Sequence, residues 1–227
     1  MTGGAADRAP AVSWFDVREV TLGPADLAGL DPRERARAAA FTFPADRRAY
    51  QAAHVLLRRV LASHLGTGPA GIAFARQRCP ACGGPSGRPV LAGPAGGGPF
   101  FSLAHSGDMV AIAVAGRPVG IDVEQDATRC VCALAGVMHP GDAALAGALP
   151  EPRRHAAVIR WWVRAEAALK CAGTGITHGM GAFPVLGGPV PGGAWGCSVA
   201  ALPAPRGYQA ALALPGVVSQ GTGGGEP

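Results

Sequence analysis

Two acidic residues separated by a single residue occur near the middle of the chain, in the segment GIDVE (120–124). In a β-strand, residues i and i+2 point to the same face, so Asp122 and Glu124 are expected to project together while Ile121 and Val123 face the core. Neighbouring carboxylates repel each other, and a divalent cation relieves that repulsion. Hard oxygen ligands favour magnesium. The same short pattern is also common on exposed strands, where both carboxylates are simply solvated.

A third carboxylate lies in the segment WVRAEAALK (162–170), together with the single lysine among the 20 lysine and arginine residues. Trp162, Glu166 and Lys170 are spaced i, i+4 and i+8, which places them on one stripe of a helix. An exposed Glu–Lys pair is the ordinary alternative, but the surrounding helix positions are apolar. Glu166 is therefore predicted to complete a magnesium site with Asp122 and Glu124, and Lys170 to supply a compact positive charge for a phosphate group.

A histidine, His105, ends the strand-like segment FSLAHSG (101–107) and is followed by a glycine. Lone histidines are most often structural, so this residue alone does not define a site. His105 becomes a candidate functional residue because its segment precedes the acidic segment GIDVE along the chain.

The elements that position these groups are predicted from apolar periodicity and from helix start and stop residues. Strands are expected at 14–22, 101–107, 109–116 and 121–124, and helices at 31–41, 46–66 and 151–175. Residues 83–99 are predicted to form a loop, and 127–150 to be partly helical. Further strands are expected at 182–188, 194–203 and 207–215, and a flexible tail at 216–227.

Composition excludes several classes of protein. Hydrophobic residues make up 48% of the chain and charged residues 15%, which predicts a packed core rather than disorder. The net charge of +5 favours anionic partners, but no basic run with interleaved aromatic residues indicates nucleic-acid binding. Neither a signal peptide nor an apolar run of about 18 residues is evident, so we expect a cytoplasmic protein without membrane association.

The six cysteines are expected to be reduced thiols in that compartment. Cys79 and Cys82 form a C-x-x-C pair that resembles half of a zinc ribbon. No second pair follows at ribbon spacing, and Cys130-x-Cys132 is a poor substitute. We interpret Cys79 and Cys82 as two thiols in a loop rather than as zinc ligands.

Taken together, FSLAHSG, GIDVE and WVRAEAALK resemble the surfactin-type 4′-phosphopantetheinyl transferases. That family has the motifs aromatic-(N/S)-x-S-H-S, (V/I)-G-(I/V)-D-(I/V)-E and W-x-x-K-E-(A/S)-x-x-K, in this order. The segments AHVLLRRVLASHLG (53–66) and GRPVLAG (87–93) are similar to a family helix and to its G-(K/R)-P coenzyme A contact. The resemblance covers roughly residues 40–175.

The resemblance implies an activity: transfer of the 4′-phosphopantetheine arm of coenzyme A to a serine of an apo-acyl or peptidyl carrier protein. Asp122, Glu124 and Glu166 match the magnesium ligands, and Glu166 also matches the residue that takes the serine proton. Lys170 matches the lysine that stabilises the phosphates and the leaving group. His105 matches the histidine that contacts a coenzyme A phosphate.

Four arginines are candidates for two contacts with coenzyme A. Arg88 matches the basic residue of G-(K/R)-P, while Arg47, Arg48 or Arg58 is expected to meet the 3′-phosphate, without a choice among the three.

The resemblance also implies an α/β (α+β) fold: a pseudo-dimer of two similar α/β halves with the site in the cleft between them. The boundary is placed near Pro118, giving an N-terminal half at 1–117 and a C-terminal half at 118–227. The family acts as a monomer, and such enzymes often serve polyketide or nonribosomal peptide biosynthesis in secondary metabolism.

Two positions depart from the family pattern: Ala104 replaces a serine that contacts phosphate, and Ala165 replaces a lysine. These departures leave two alternatives open. One is a degenerate, non-catalytic binder of carrier proteins or coenzyme A. The other is a magnesium-dependent phosphohydrolase that uses the same carboxylates.

Overall fold

The computed structural model describes residues 9–93, 98–126, 134, 136–175, 179–187 and 196–216. The helices are α1 (Pro24–Ala28), α2 (Pro32–Ala39), α3 (Pro44–Leu65), α4 (Pro140–Gly147) and α5 (Arg153–Ala172), with a 3₁₀ turn at Pro69–Gly71. The strands are β1 (Ala11–Asp16), β2 (Phe74–Arg76), β3 (Pro89–Leu91), β4 (Phe100–Ser106), β5 (Met109–Ala115), β6 (Gly120–Gln125), β7 (Cys197–Leu202) and β8 (Tyr208–Pro215).

The N-terminal half is built on an antiparallel sheet with the strand order β1-β5-β4. Helix α3 starts with Pro44 at its first position and ends at Gly66, whose φ of 64° suits a glycine cap. Its apolar face, including Leu57 and Leu61, packs in one cluster with Val110 and Ile112 of β5. A small β2–β3 hairpin lies beside this sheet.

The C-terminal half is built on a second antiparallel sheet with the order β6-β8-β7. Helix α5 contacts all three strands and buries residues on two faces. Trp161 and Leu169 lie in one apolar cluster, while Val163 and Ala167 lie in another against β7 and β8. The helix is thereby fixed against the strand that carries the paired carboxylates.

The two sheets meet where β4 and β5 lie against β6, and Ala104, Val119, Ile121 and Val123 share an apolar cluster at this junction. The mixed α/β composition predicted from the sequence is confirmed, because each half contains a three-stranded sheet and a long helix. The superposition of the halves as a pseudo-dimer and the boundary near Pro118 stay predictions.

Several predicted boundaries are wrong for identifiable reasons. The first strand ends at Asp16 because its carboxylate accepts a hydrogen bond from the Arg18 backbone nitrogen and turns the chain. Residues 182–187 form no strand, since Asp142 accepts from the backbone nitrogens of Val185 and Leu186 and holds a loop. The predicted loop at 83–99 contains β3.

Of the partly helical region predicted at 127–150, α4 is present, while residues 127–133 lie outside the described residues. All but the first residue of the predicted flexible tail also lies outside them. No helix in the described part of the chain is long and apolar enough to cross a membrane.

Candidate active site

The paired carboxylates lie on β6, the edge strand nearest the N-terminal sheet. Ile121 and Val123 are fully buried in the core at the sheet junction, as the alternation of a strand requires. Asp122 and Glu124 are only 4% and 5% exposed. Burying charged groups is costly unless they are paired, so their partners determine what this site can do.

Lys170 on α5 is the partner of Asp122 and of a third carboxylate, Glu166. Its Nζ lies 2.7 Å from Asp122 Oδ1 and 3.4 Å from Glu166 Oε2, and it donates to the backbone oxygen of Ile121 at 3.1 Å. The i, i+4 spacing of Glu166 and Lys170 places both side chains over β6. One ammonium group thus holds a carboxylate of the helix and a carboxylate of the strand together.

The charges around Asp122 strongly affect its protonation. Burial raises the pKa of Asp122 to about 8, and the negative charges of Glu166 and Glu124 add to the rise, while Lys170 opposes it. Burial works against the charged form of Lys170, but Asp122 and Glu166 outweigh it and raise the pKa of that ammonium group. The cluster therefore holds more negative charge than one lysine neutralises.

The chemistry of this donor set fits a hard divalent cation. Asp122 Oδ2 is buried and makes no hydrogen bond in the described part of the chain, so an oxygen ligand is left without a partner. In the arrangement present, however, no three histidine, cysteine, aspartate or glutamate side chains among the described residues are grouped closely enough to hold a metal ion. Among the described residues, Lys170 is the cation that contacts Asp122.

His105 ends β4 beside this cluster. Its side chain is open to solvent, yet enough protein surrounds it for burial to lower its pKa, and the positive charges of His54 and Lys170 add to that effect. Glu124 opposes the shift. His105 is therefore near enough to His54 of α3 and to Lys170 of α5 for both charges to affect its pKa.

The three arginines predicted for the 3′-phosphate are all on α3 and all contact protein atoms. Arg47 donates to the Phe41 oxygen at 3.1 Å, and Arg48 donates to the Val20 oxygen at 2.8 Å. Arg58 is buried, contacts Glu34 Oε2 at 2.6 Å and lies over the Phe74 ring. These contacts hold the loop after β1 and the helix pair α2–α3 in place.

Arg88, predicted to contact coenzyme A, points to the end of α5. It donates to the Ala172 oxygen at 3.1 Å and lies over the ring of Phe100. Gly173 ends the helix with a φ of 81°, and a side chain there would meet the Arg88 guanidinium. A cation at a helix C-terminus satisfies free carbonyls and opposes the helix dipole.

A cavity of about 680 Å³ opens on the N-terminal half between α2, α3 and strands β2 to β4. Arg33, Arg37 and Arg76 supply its positive charge. These arginines form no motif in the sequence, because they lie on separate elements that only the fold brings together. His54 also lines the cavity and is close enough to His105 to influence its pKa.

Two departures from the motifs face the protein interior. Ala104 is 4% exposed and lies in the cluster at the sheet junction. Ala165 is fully buried beside Trp161 and Leu169. Arg164 does not replace a cation at the site, since its guanidinium donates to the Val185 and Val199 oxygens.

Three further residues shape the site and were missed. Ser106 Oγ donates to Glu124 Oε2 at 2.7 Å, and Ser102 Oγ accepts from the Ile121 nitrogen at 3.0 Å. Gly120 lies so close to α5 that an added Cβ would be 1.9 Å from the Ala167 oxygen. The serines were part of a quoted motif, but their partners are distant in sequence.

The C-x-x-C pair lies outside this cluster. Cys79 is buried and its Sγ is 3.6 Å from the Thr174 oxygen, while Cys82 is exposed; both are free thiols. Cys130 and Cys132 lie outside the described residues.

Residues 118–193, which include β6 and α5, match the family model of the 4′-phosphopantetheinyl transferase superfamily. The chain is also 34% identical over 156 residues to 4′-phosphopantetheinyl transferase HetI of Nostoc sp. (strain PCC 7120 / SAG 25.82 / UTEX 2576). The aligned region covers 66% of this chain and 63% of that relative, which is less than two thirds of the relative's length. Asp122, Glu124, Glu166 and Lys170 all lie in the segment that the family model matches.

Proposed function

We propose that the protein transfers phosphopantetheine from coenzyme A to a serine of an apo-acyl or peptidyl carrier protein, because residues 118–193 match the family model of the 4′-phosphopantetheinyl transferase superfamily. The observation that carries the proposal is the placement of Lys170, whose Nζ joins Asp122 at 2.7 Å and Glu166 at 3.4 Å. A partly buried cation shared by two carboxylates suits a reaction in which negative charge moves between phosphate oxygens.

In the proposed reaction the carrier serine oxygen bonds to the β-phosphorus of coenzyme A. The bond from that phosphorus to the bridging pyrophosphate oxygen breaks, and adenosine 3′,5′-bisphosphate leaves. Glu166 accepts the serine proton. Lys170 offsets the charge that builds on the leaving oxygen, and the short distance between the two side chains lets both act at one reaction centre.

Asp122, Glu124 and Glu166 are the residues that would hold Mg²⁺. When bound, the ion supplies Lewis-acid charge neutralisation for the pyrophosphate oxygens. The buried, unpartnered Oδ2 of Asp122 supports this assignment. So does the pKa of Asp122, which burial raises to about 8 with a further contribution from the negative charges of Glu166 and Glu124. Lys170 contacts the other oxygen of the Asp122 carboxylate, Oδ1, so its ammonium group lies next to this site.

The nucleotide end of coenzyme A is assigned to the cavity lined by Arg33, Arg37 and Arg76. Aromatic side chains in the lining, including Tyr50 and Phe74, offer surfaces for a base. His105 is assigned to a phosphate of coenzyme A, which is supported by its nearness to His54 in the cavity lining and to Lys170. We also propose that the protein acts as a monomer in the cytoplasm.

Alanine substitutions separate the candidate 3′-phosphate contacts. We expect Arg37→Ala or Arg76→Ala to raise the KM for coenzyme A roughly 10-fold, as loss of a charge-assisted hydrogen bond does. Arg47→Ala is the matched control, because Arg47 contacts the Phe41 backbone instead. A larger increase in the KM for coenzyme A in Arg47→Ala would indicate that α3 binds the 3′-phosphate instead.

The decisive experiment incubates the purified protein with coenzyme A, Mg²⁺ and a panel of apo-carrier proteins. Intact-protein mass spectrometry is expected to show one added phosphopantetheine group, with no addition when EDTA replaces Mg²⁺. Release of the bisphosphate without a carrier would instead identify a phosphohydrolase. Binding of coenzyme A with no turnover on any carrier would identify a non-catalytic binder.

A further inference from the structure

Two serine hydroxyls of β4 join the N-terminal sheet to the strand that carries the paired carboxylates. Ser102 Oγ accepts a hydrogen bond from the Ile121 nitrogen at 3.0 Å, and Ser106 Oγ accepts one from the Gln125 nitrogen at 3.1 Å. Both pairs advance by four residues, so β4 and β6 run in the same direction. The two strands belong to separate sheets, and these side chains provide hydrogen bonds between them.

The two hydroxyls differ in where their protons go. Ser106 Oγ also donates to Glu124 Oε2 at 2.7 Å. Among the described residues, the Ser102 hydroxyl bonds only to the Ile121 backbone. Ser106 therefore has the same bridging role as Ser102, plus one contact with a candidate metal ligand.

The geometry restricts the Ser106 hydroxyl to one donor direction. A serine hydroxyl has one proton and two acceptor positions. Because the Gln125 N–H points at the oxygen, the proton is directed to the carboxylate. Glu124 is 5% exposed, so bulk water does not set the rotation of its carboxylate. A backbone N–H thus orients a hydroxyl, which in turn orients Glu124.

We propose that Ser106 is a positioning residue that restricts the rotation of the Glu124 carboxylate and thereby favours its binding to a divalent cation. This inference rests on the proposed function for its metal, but not on the identity of the carrier protein. Groups that orient metal ligands from the second layer change metal affinity or activity by about 10–100-fold when removed. Ser106 is expected to act through Glu124 without touching substrate.

The test measures Mn²⁺ binding by electron paramagnetic resonance on the full chain without substrates. Ser106→Ala is expected to weaken Mn²⁺ binding about 10–100-fold. Ser102→Ala is the matched control, because it also leaves one backbone N–H of β6 without its acceptor but removes no contact to a carboxylate. Ser102→Ala is expected to lower Tm while keeping the wild-type Mn²⁺ affinity.

Activity provides a second measurement. In Ser106→Ala the Mg²⁺ concentration for half-maximal transfer should rise by the same factor, while the KM for coenzyme A stays within about two-fold, since the nucleotide contacts are unchanged. Ser106→Thr retains the hydroxyl and should restore Mn²⁺ binding. If Ser106→Ala does not fold, Ser106→Cys replaces it, and its weaker donor should give an intermediate affinity.

Wild-type Mn²⁺ affinity in Ser106→Ala, or equal losses in Ser106→Ala and Ser102→Ala, would overturn the inference. So would a wild-type protein that binds no Mn²⁺. Wild-type protein that binds Mn²⁺ through Ser106 but modifies no carrier would overturn the proposed function and leave this inference standing. The two failures are therefore distinguishable.

Discussion

Lys170 has three acceptors within 3.4 Å, which makes its ammonium group a fixed charge rather than a mobile surface cation. We expect Lys170→Ala to lower kcat about 10²–10³-fold, the usual cost of removing one donor that stabilises developing charge. Lys170→Arg should not restore the rate, because the planar guanidinium cannot take the place of a compact ammonium group. Mass spectrometry of carrier modification over time measures both, and a near-normal rate for Lys170→Ala contradicts the assignment.

Glu166 is predicted to act as the general base. Glu166→Gln keeps the size of the side chain but removes its basicity, so kcat should fall about 10²–10⁴-fold. Glu151→Gln is the matched control, since Glu151 is exposed just before α5. Rates from single-turnover quenched reactions decide this, and equal rates in the two variants would exclude Glu166 as the base.

At the scale of single residues, the sequence indicated which side chains could form a site, but not which atoms each of them contacts. Spacing was enough to place Glu166 beside Lys170 on one stripe of a helix, because the helix period is fixed by backbone geometry, while the meeting of that stripe with Asp122 was implied by the family resemblance. Arg88 shows the limit: its motif predicted a ligand contact, while its guanidinium donates to the Ala172 oxygen. No local pattern encodes a partner more than 80 residues away.

Helices α2 and α3 are joined by Glu34, whose side chain is 7% exposed. Burial opposes ionisation, but hydrogen bonds from His54, the Asp31 nitrogen and Arg58 outweigh it and lower the pKa of Glu34 from 4.5 to about 2. The folded pKa lies below the unfolded value, so this stabilisation is present above about pH 4.5 and is lost as the pH falls towards 2.

We therefore expect Glu34→Gln to lose roughly 2–3 kcal/mol of unfolding free energy at pH 7 and roughly half as much at pH 3, because the carboxyl is still largely ionised in the folded protein at that pH. Urea unfolding followed by circular dichroism at the two pH values measures the difference. Glu19→Gln, at an exposed position after β1, is the matched control. A loss of equal size at both pH values would show that the ionised carboxylate does not hold α2 on α3.

Gly120 sets the distance between β6 and α5. An added Cβ would lie 1.9 Å from the Ala167 oxygen and 2.6 Å from the Cys171 nitrogen, so Gly120→Ala must push the helix away. We expect a loss of about 1–3 kcal/mol in stability. Transfer should fall up to about 100-fold, because a shift near 1 Å separates Glu166 and Lys170 from Asp122.

Thermal unfolding and initial transfer rates measure the two effects of Gly120→Ala. Gly147→Ala is the matched control, since nothing lies within 4 Å of a Cβ at that position. Unchanged values for Gly120→Ala would mean that the contact between strand and helix adapts without moving the site.

For the molecule as a whole, the loop before β3 links the two halves at the end of α5. Arg88 donates to Ala172 and Cys79 to Thr174. We expect Arg88→Gln to lower the free energy of unfolding by about 1–2 kcal/mol, through loss of a charged hydrogen bond at a helix C-terminus. Chemical denaturation measures this. A rise of more than about 10-fold in the KM for coenzyme A, with unchanged stability, would instead support the predicted ligand contact.

The overall composition of the fold was predictable, while its strand pairing was not. Long helices follow from periodicity over many turns, which fixed α3 and α5 within a few residues. The position of β8 between β6 and β7 depends on contacts far apart in sequence. The arginine-lined cavity was equally unpredictable from the sequence, because Arg33, Arg37 and Arg76 meet only after α2 and the β2–β3 hairpin fold onto α3.

The salt bridge between Lys170 and Asp122 has a consequence for the protein before any substrate arrives. The chain supplies a counter-ion to one oxygen of a buried carboxylate and leaves the other oxygen without a partner. A divalent cation that binds the second oxygen would join this ammonium group rather than replace it, so two positive charges would meet the phosphates together. The same lysine thus stabilises the folded protein by pairing with Asp122 and is proposed to stabilise the charge that develops during transfer.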